Sequence, residues 1–485
     1  MITIQAKKHD NFSVEFKFGF VGQPGVERND FVVNTWIFVP NSIDINPQTY
    51  GKDQFYRDIK SNVRLITPVF LLREIASTES LPFVCLNGAM NRLAVNPTKE
   101  ATDDYEYQIK MFAAIFKSAL RDHAVHIRNS VSGNELDYLV ENYVDYTRLI
   151  LKEYRALYRL INVPTVTDTV RNYFLFGDEF MSHIVDVQTI RILKKLNSLP
   201  QSASIKRLRS LPVELLDEER LYKSEMRYKT ITDDVENNRQ LVFRYGMLKK
   251  YIESDLYIRL DKRRDGVAVQ QIYYSIAAGI AMIFATVISF SFQRKFGSMS
   301  IPLFVALVVS YMLKDRIKDL MRYYFAHRLG DKYYDNKADI NIATNRVGVI
   351  KEGVDFISDQ KTPAEVLELR SRSSLVEAEN RIFEEKILLY RKHVTIDYNA
   401  LADNNQYPVQ GINEIMRLHL TRFTQKMDNP EVPVDTVAAD GTIRNMSVQK
   451  SYYIHLVFQL QHDGQKEYRH FRIVMTRDGV IRIEE

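Results

Sequence analysis

Between residues 266 and 293 the chain carries no Asp, Glu, Lys, Arg or His. Its apolar centre, 272–292, rises roughly 32 Å as an α-helix, enough to cross a hydrocarbon core about 30 Å thick. A second uncharged run, 296–313, rises roughly 27 Å. Only Gln293, Arg294 and Lys295 part the two runs. Lipid offers a backbone no hydrogen bonds, so only closed structures such as helices cross it. The pair therefore predicts a two-span transmembrane helical hairpin.

Small side chains recur along these runs. Ala277, Ala281, Ala285 and Ser289 stand four apart, as do Ala306 and Ser310. Such stripes let helix backbones approach closely, within the hairpin or between subunits. Basic residues flank the runs: Arg259, Lys262, Arg263 and Arg264 before, and Lys314, Arg316, Lys318, Arg322 and Arg328 after. These are the groups expected to meet lipid headgroups and set topology. The connecting loop holds only Arg294 and Lys295. Positive charge stays inside, so both termini are expected in the cytoplasm, with the membrane a bacterial inner (plasma) membrane. Residues 1–20 lack a basic segment followed by an apolar one, so no cleaved leader is expected.

The fold class expected is an α+β membrane protein. The hairpin separates a mixed β and helical-bundle N-terminal region from an α+β C-terminal region ending in an antiparallel β-meander. In chain order, residues 1–100 form an α+β module and 101–265 a cytoplasmic helical region. The hairpin occupies 266–313, as about 272–292 and 296–313. A basic juxtamembrane helix covers 314–344, and the C-terminal α+β domain covers 345–485.

Local patterns support this division. Phe12, Val14, Phe16, Phe18 and Phe20 alternate with Ser13, Glu15, Lys17 and Gly19, the period of a half-buried strand. A turn follows at Gly22, Gln23, Pro24 and Gly25, then a strand over 31–39 containing Trp36, a core residue. Residues 53–66 are expected to be helical, with Phe55, Ile59, Val63 and Ile66 on one face. Helical stripes then run through 109–120 and 136–161 until Pro164 intervenes. A helix over 166–199 and a long charged helix over 212–264 complete that region. Beyond the hairpin, Thr362-Pro363-Ala364-Glu365 marks a helix start. Residues 386–398 suggest a strand and 412–427 a short helix. Alternation from 452 to 483, broken at His462–Gln465 and Asp478–Gly479, gives the meander.

Chemistry is sparse. No Walker run, dinucleotide glycine fingerprint, nucleophile elbow or kinase signature occurs. His123 and His126 share a helix face, but the spacing-four pair with a Glu is missing, so no metal and no cofactor are expected. His455 and His470 are expected to meet across the terminal hairpin as a polar pair. The single cysteine, Cys85 in an apolar setting, excludes a disulfide framework and is expected to be inert. The net charge of +5 is too mild to imply nucleic acid. Neither uncharged run holds an ionisable group, which argues against an ion pathway. The function expected is a membrane-anchored cytoplasmic binding or scaffold protein. Its partners would be the bilayer and either another protein or a second copy. A membrane-tethered enzyme or sensor with an unrecognised site is the alternative.

Overall fold

The computed structural model describes all residues except 24, 131–132, 201, 298–299, 331–333, 343–344 and 404, with the backbone alone for 133, 134, 203 and 325–330. The chain forms a mixed α+β fold in two compact units. One holds Met1–Val63, Arg259–Asn404 and Gly411–Glu485; the other holds Arg64–Ile258 and Asn405–Gln410.

Among the described residues fourteen strands build the sheets: β1 (Ile2–Asp10), β2 (Ser13–Val21), β3 (Arg28–Val39), β4 (Ile59–Leu65), β5 (Arg259–Arg264), β6 (Asn336–Ile342), β7 (Asn345–Ile357), β8 (Lys386–Asp397), β9 (Gly411–His419), β10 (Glu431–Val437), β11 (Ile443–Gln449), β12 (Tyr452–His462), β13 (Gln465–Thr476) and β14 (Gly479–Glu484). One sheet runs β1-β2-β9-β4, a second β14-β13-β12-β3-β8-β7-β6-β5, and β10 pairs with β11 alone. The pairings described are antiparallel, and β12, β13 and β14 form the C-terminal meander. Its first turn places Asp463 and Gly464 at positive φ, as the tight hairpins of twisted strands require.

The two larger sheets share an aromatic core. Phe16, Phe18 and Phe20 of β2 are fully buried, and their rings meet Phe31, Phe458 and Phe471 of the longer sheet at centroid distances of 5.1–6.0 Å. Even positions of β2 and β9 therefore face inward. β3 joins the C-terminal strands, pairing with β12 on one side and β8 on the other. The first 63 residues and the last 75 thus belong to one unit, a pairing that chain-order boundaries at 100 and 345 do not anticipate.

Four local readings need correction. Residues 53–66 are helical only over Lys52–Asp58; β4 takes the rest. Residues 412–427 are mostly strand: Ile412, Glu414, Met416 and Leu418 are buried in alternation on β9, and only Thr421–Gln425 is helical. The long helix over 212–264 is broken into separate elements. Ala203–Glu225 contains Pro212 and stops before Arg227, at positive φ; Val235–Ile252 is capped by Asp234; Arg259–Arg264 is a strand. The basic helix also ends earlier than 344, because residues from Asn336 onward form β6. Pro24, in the turn expected after β2, lies outside the described residues.

The other unit is a bundle of helices, chiefly Leu81–Val95, Lys99–Asn129, Gly133–Ala156, Asp168–Asn197, Ala203–Glu225 and Val235–Ile252. Its centre stacks Phe112, Tyr154 and Phe174 at 5.4 and 4.4 Å. Gly177 is required there: a Cβ would strike the Tyr154 hydroxyl and Ile109.

Among the described residues one helix, Val267–Phe296, is long and apolar enough to cross a membrane. It packs along its length against the Ile301–Gly330 helix, which continues the second uncharged run without a break into Lys314–Asp319.

Candidate functional site

The outer face of the eight-stranded sheet is unevenly covered. At one end the Ala364–Arg370 helix seals Val366 over Trp36, Phe38, Ile387 and Val457. Farther along, the same face opens into a groove of about 630 Å³. That is the size of a small-ligand site. Arg28, Lys337, Arg346, Lys351, His393 and Thr395 line it, with Glu27, Gly348, Val349 and Asp397.

Register explains why these side chains converge. Arg263 of β5 stands opposite Lys337 of β6, Lys337 opposite Lys351 of β7, and Lys351 opposite His393 of β8. Side chains alternate along strands, so this row shares one face. The next positions inward on each strand, Ala338, Ile350 and Val394, are buried on the opposite face. A second row runs Asp261, Asp339, Val349, Thr395 and Asp30. Ion pairs tie the rows together. Arg263 and Arg346 reach Asp339 at 2.6 and 3.0 Å, His393 reaches Asp30 at 3.0 Å, and Lys351 lies 3.8 Å from Asp265. Thr395 Oγ1 donates to Asp30 at 2.6 Å. Partial burial pushes the Asp30 carboxyl up, but Thr395, Arg28 and His393 outweigh it and hold the group below its ordinary range. The lining holds Arg28, Lys337, Arg346 and Lys351 together with Glu27 and Asp397, and Asp30 and Asp339 pair with Arg28 and Arg346 at its edges.

Beneath this face lies a buried ionic centre. Lys392 of β8 is opposite Glu352 of β7, and Lys392 Nζ is 3.3 Å from Glu352 and closer still to Glu414 of β9. Tyr390 donates to Glu352 at 2.9 Å, and Ser61 hydrogen-bonds Glu414. Burial pushes Lys392 down, but Glu414 and Glu352 outweigh it and hold its pKa above the usual lysine value. Burial pushes Glu352 up, but Lys392, Lys262 and the Tyr390 hydroxyl hold it low. Held between carboxylates from the two sheets, Lys392 ties β7 and β8 of one to β9 of the other.

The residues singled out in the sequence fall in three places. Ala277, Ala281, Ala306 and Ser310 are buried, and Ala285 and Ser289 half-buried, in the helix pair. Ser310 Oγ donates to the Ala285 carbonyl at 3.3 Å, and Ser289 Oγ to the same oxygen at 2.8 Å. The small faces therefore pack within the hairpin. Arg259, Lys262, Arg263 and Arg264 lie on β5 and not on a helix, because this segment pairs with β6 as the edge strand of the sheet. Lys262 Nζ is 3.6 Å from Glu352, and Arg263 joins the groove's basic row. On the second helix Lys314 lies over the Tyr311 ring at 3.9 Å, Lys318 pairs with Asp315, and Arg322 lies over Tyr274 at 5.2 Å. Arg316 is exposed, and the Arg328 side chain lies outside the described residues.

The two histidine pairs differ. His123 is bonded to the Leu139 carbonyl at 3.0 Å, while His126 is exposed near Glu135. His455 Nδ1 and His470 Nε2 are 2.9 Å apart, but diagonally, since His470 is opposite Val457. Among the described residues no group of three His, Cys, Asp or Glu could hold a metal ion. Cys85 is half-buried on the Leu81–Val95 helix.

The helical unit holds its own polar network. Arg155 makes a two-pronged pair with Glu219, both bonds 2.8 Å, and bonds Asp178 at 2.9 Å. Tyr222 and Tyr228 also donate to Asp178, at 2.8 and 2.9 Å. These groups satisfy one another.

Sequence reasoning overlooked Arg28, Lys337, Arg346, Lys351, His393 and Thr395. Each looks like an ordinary exposed strand residue, and only register aligns them. No family model, no curated protein and no solved structure matches this chain.

Proposed function

We propose that this chain is an integral membrane protein whose hairpin anchors a binding module at the bilayer surface. One observation carries the reading. In the helix pair the buried residues among those described are Ala277, Ala281, Ala306 and Ser310, whereas Ile276, Ile283, Val287, Phe290, Phe304, Val305 and Val309 are 46–69% exposed. A water-soluble protein buries the large side chains and exposes the small ones; a helix pair in lipid does the reverse. The dimensions agree. The first helix rises about 33 Å from Tyr274, where Arg322 covers its ring, to Phe296. The second has only residues 301–313 uncharged, about 20 Å, so a bilayer there would thin locally and Lys314 and Lys318 would reach to the headgroups.

Basic residues at the hairpin's open end favour cytoplasmic termini in a bacterial inner membrane. β5 ends just before the first helix and β6 begins just after the second, so the groove's strands connect directly to the anchor. This supports a scaffold that holds a ligand or protein partner close to the inner leaflet. Alkaline carbonate extraction of membranes tests the anchor. The full chain is expected to stay in the pellet and to need detergent for release. Recovery in the carbonate supernatant as a stable species would sink the reading. A reporter after Glu485 that is active only outside the cytoplasm would reverse the topology.

A further inference from the structure

We infer that the groove binds a phosphate group carried on a small ligand. The inference rests on reading the groove as the binding site of the anchored protein, and it names the chemistry of the occupant. Arg263, Lys337, Lys351 and His393 stand in direct cross-strand register over four strands. Like charges directly opposite one another destabilise a sheet. Arg263 is offset by Asp339 at 2.6 Å, and the His393 ring lies 3.0 Å from Asp30. Lys351 has only Asp265, at 3.8 Å, and Lys337 has no ion-pair partner among the described residues. Two neighbouring ammonium groups thus face the same groove incompletely compensated, while Arg346 and Arg28 beside them pair with Asp339 and Asp30, and Glu27 and Asp397 also line it. A multiply charged tetrahedral anion relieves that repulsion by accepting from both lysines at once, and a guanidinium adds a planar fork to it. The volume of about 630 Å³ fits a small phosphoester.

The phosphate has two possible sources, a lipid headgroup beside the anchor or a soluble phosphoester. The test uses the full chain, purified in neutral detergent and also placed in phosphatidylcholine nanodiscs with or without phosphatidic acid. Inorganic pyrophosphate is titrated at ionic strength matched with chloride, and the melting temperature and the phosphorus NMR line width are read. Pyrophosphate is expected to raise the melting temperature and broaden its own resonance. Lys337→Gln/Lys351→Gln is expected to weaken this response about a hundredfold, at about tenfold per charge-assisted contact. The same variant keeps its melting temperature in chloride, because the repulsion is gone. Lys337→Arg/Lys351→Arg retains the response.

A response to pyrophosphate assigns a soluble source; a response to phosphatidic acid alone, lost in the Gln variant, assigns the headgroup. No response to either probe overturns the inference, as does a Gln variant that responds like the parent. A Gln variant that unfolds in chloride also overturns it, by giving the lysines to the fold. The detergent titration needs no bilayer, so its failure and a failure of carbonate extraction are separate results.

Discussion

Lys392 is 1% exposed and sits between two carboxylates, Glu352 and Glu414, that are equally withdrawn from water. Removing the cation alone leaves two buried anions facing each other. Lys392→Met should therefore cost about 3–5 kcal/mol, the usual penalty for breaking a buried pair. Urea unfolding followed by the fluorescence of Trp36, the sole tryptophan, measures it in the unit that contains both. A triple change, with Glu352→Gln and Glu414→Gln added, should recover most of the loss. A loss under about 1 kcal/mol for the single change would mean that the carboxylates find solvent. The terminal histidines give a pH dependence. Burial, then Arg370, His470 and Arg472, push His455 down to about 3. A depressed pKa stabilises the fold above the unfolded value of about 6.5 and loses that contribution as pH falls toward 3. The melting temperature should fall across that window, and His455→Gln should flatten the slope. An identical slope in that variant would assign the acid sensitivity elsewhere.

At the scale of elements, strands and hairpin answer to different rules. β2 and the meander were readable because one face of each is apolar at period two. β9 was mistaken for a helix because Ile412, Ile415, Met416 and Leu418 also satisfy a helical spacing, and short apolar runs do not separate the two periods. What settles β9 is its pairing with β2, which starts at Gly411 opposite Val21. A Cβ at Gly411 would fall on the Phe20 carbonyl. Gly411→Ala should cost about 1–3 kcal/mol, as overpacking against an immovable backbone does. Chemical denaturation read at Trp36 checks this, and an unchanged midpoint would show that β9 can shift. The hairpin makes its own prediction. Ser310 Oγ meets the Ala285 carbonyl, so Ala285→Cys/Ser310→Cys in a Cys85→Ser background should cross-link within one chain on mild oxidation. Peptide mass spectrometry should find the bond in the monomer band. A dimer band in its place would move the small-residue faces to a subunit interface.

For the whole molecule, the decisive fact is that β3 lies between β12 and β8. A strand from the start of the chain is held on both sides by strands from its last third. Deleting Tyr452–Glu485 strips one edge of β3 and uncovers Trp36, Phe38 and Ile37. The truncated chain should lose the blue-shifted Trp36 emission, while far-ultraviolet circular dichroism retains a helical signal from the other unit, which contains none of those strands. Native-like emission after truncation would contradict the shared sheet.

Runs of like character along the chain were decided by the sequence itself. The uncharged stretch, its small-residue stripes and basic flanks, the Phe ladder of β2 and the closing meander each depend on neighbours within a dozen residues, and local periodicity reports such neighbours directly. The tertiary structure alone decided everything that depends on register between distant strands. Arg263, Lys337, Lys351 and His393 are scattered over 131 positions, and the groove exists only because β5, β6, β7 and β8 align them across one sheet face. The same holds for Lys392, Glu352 and Glu414. A lone charged residue in a strand gives no sign of being buried, because its partner is chosen by a pairing that a one-residue slip would turn to the opposite face.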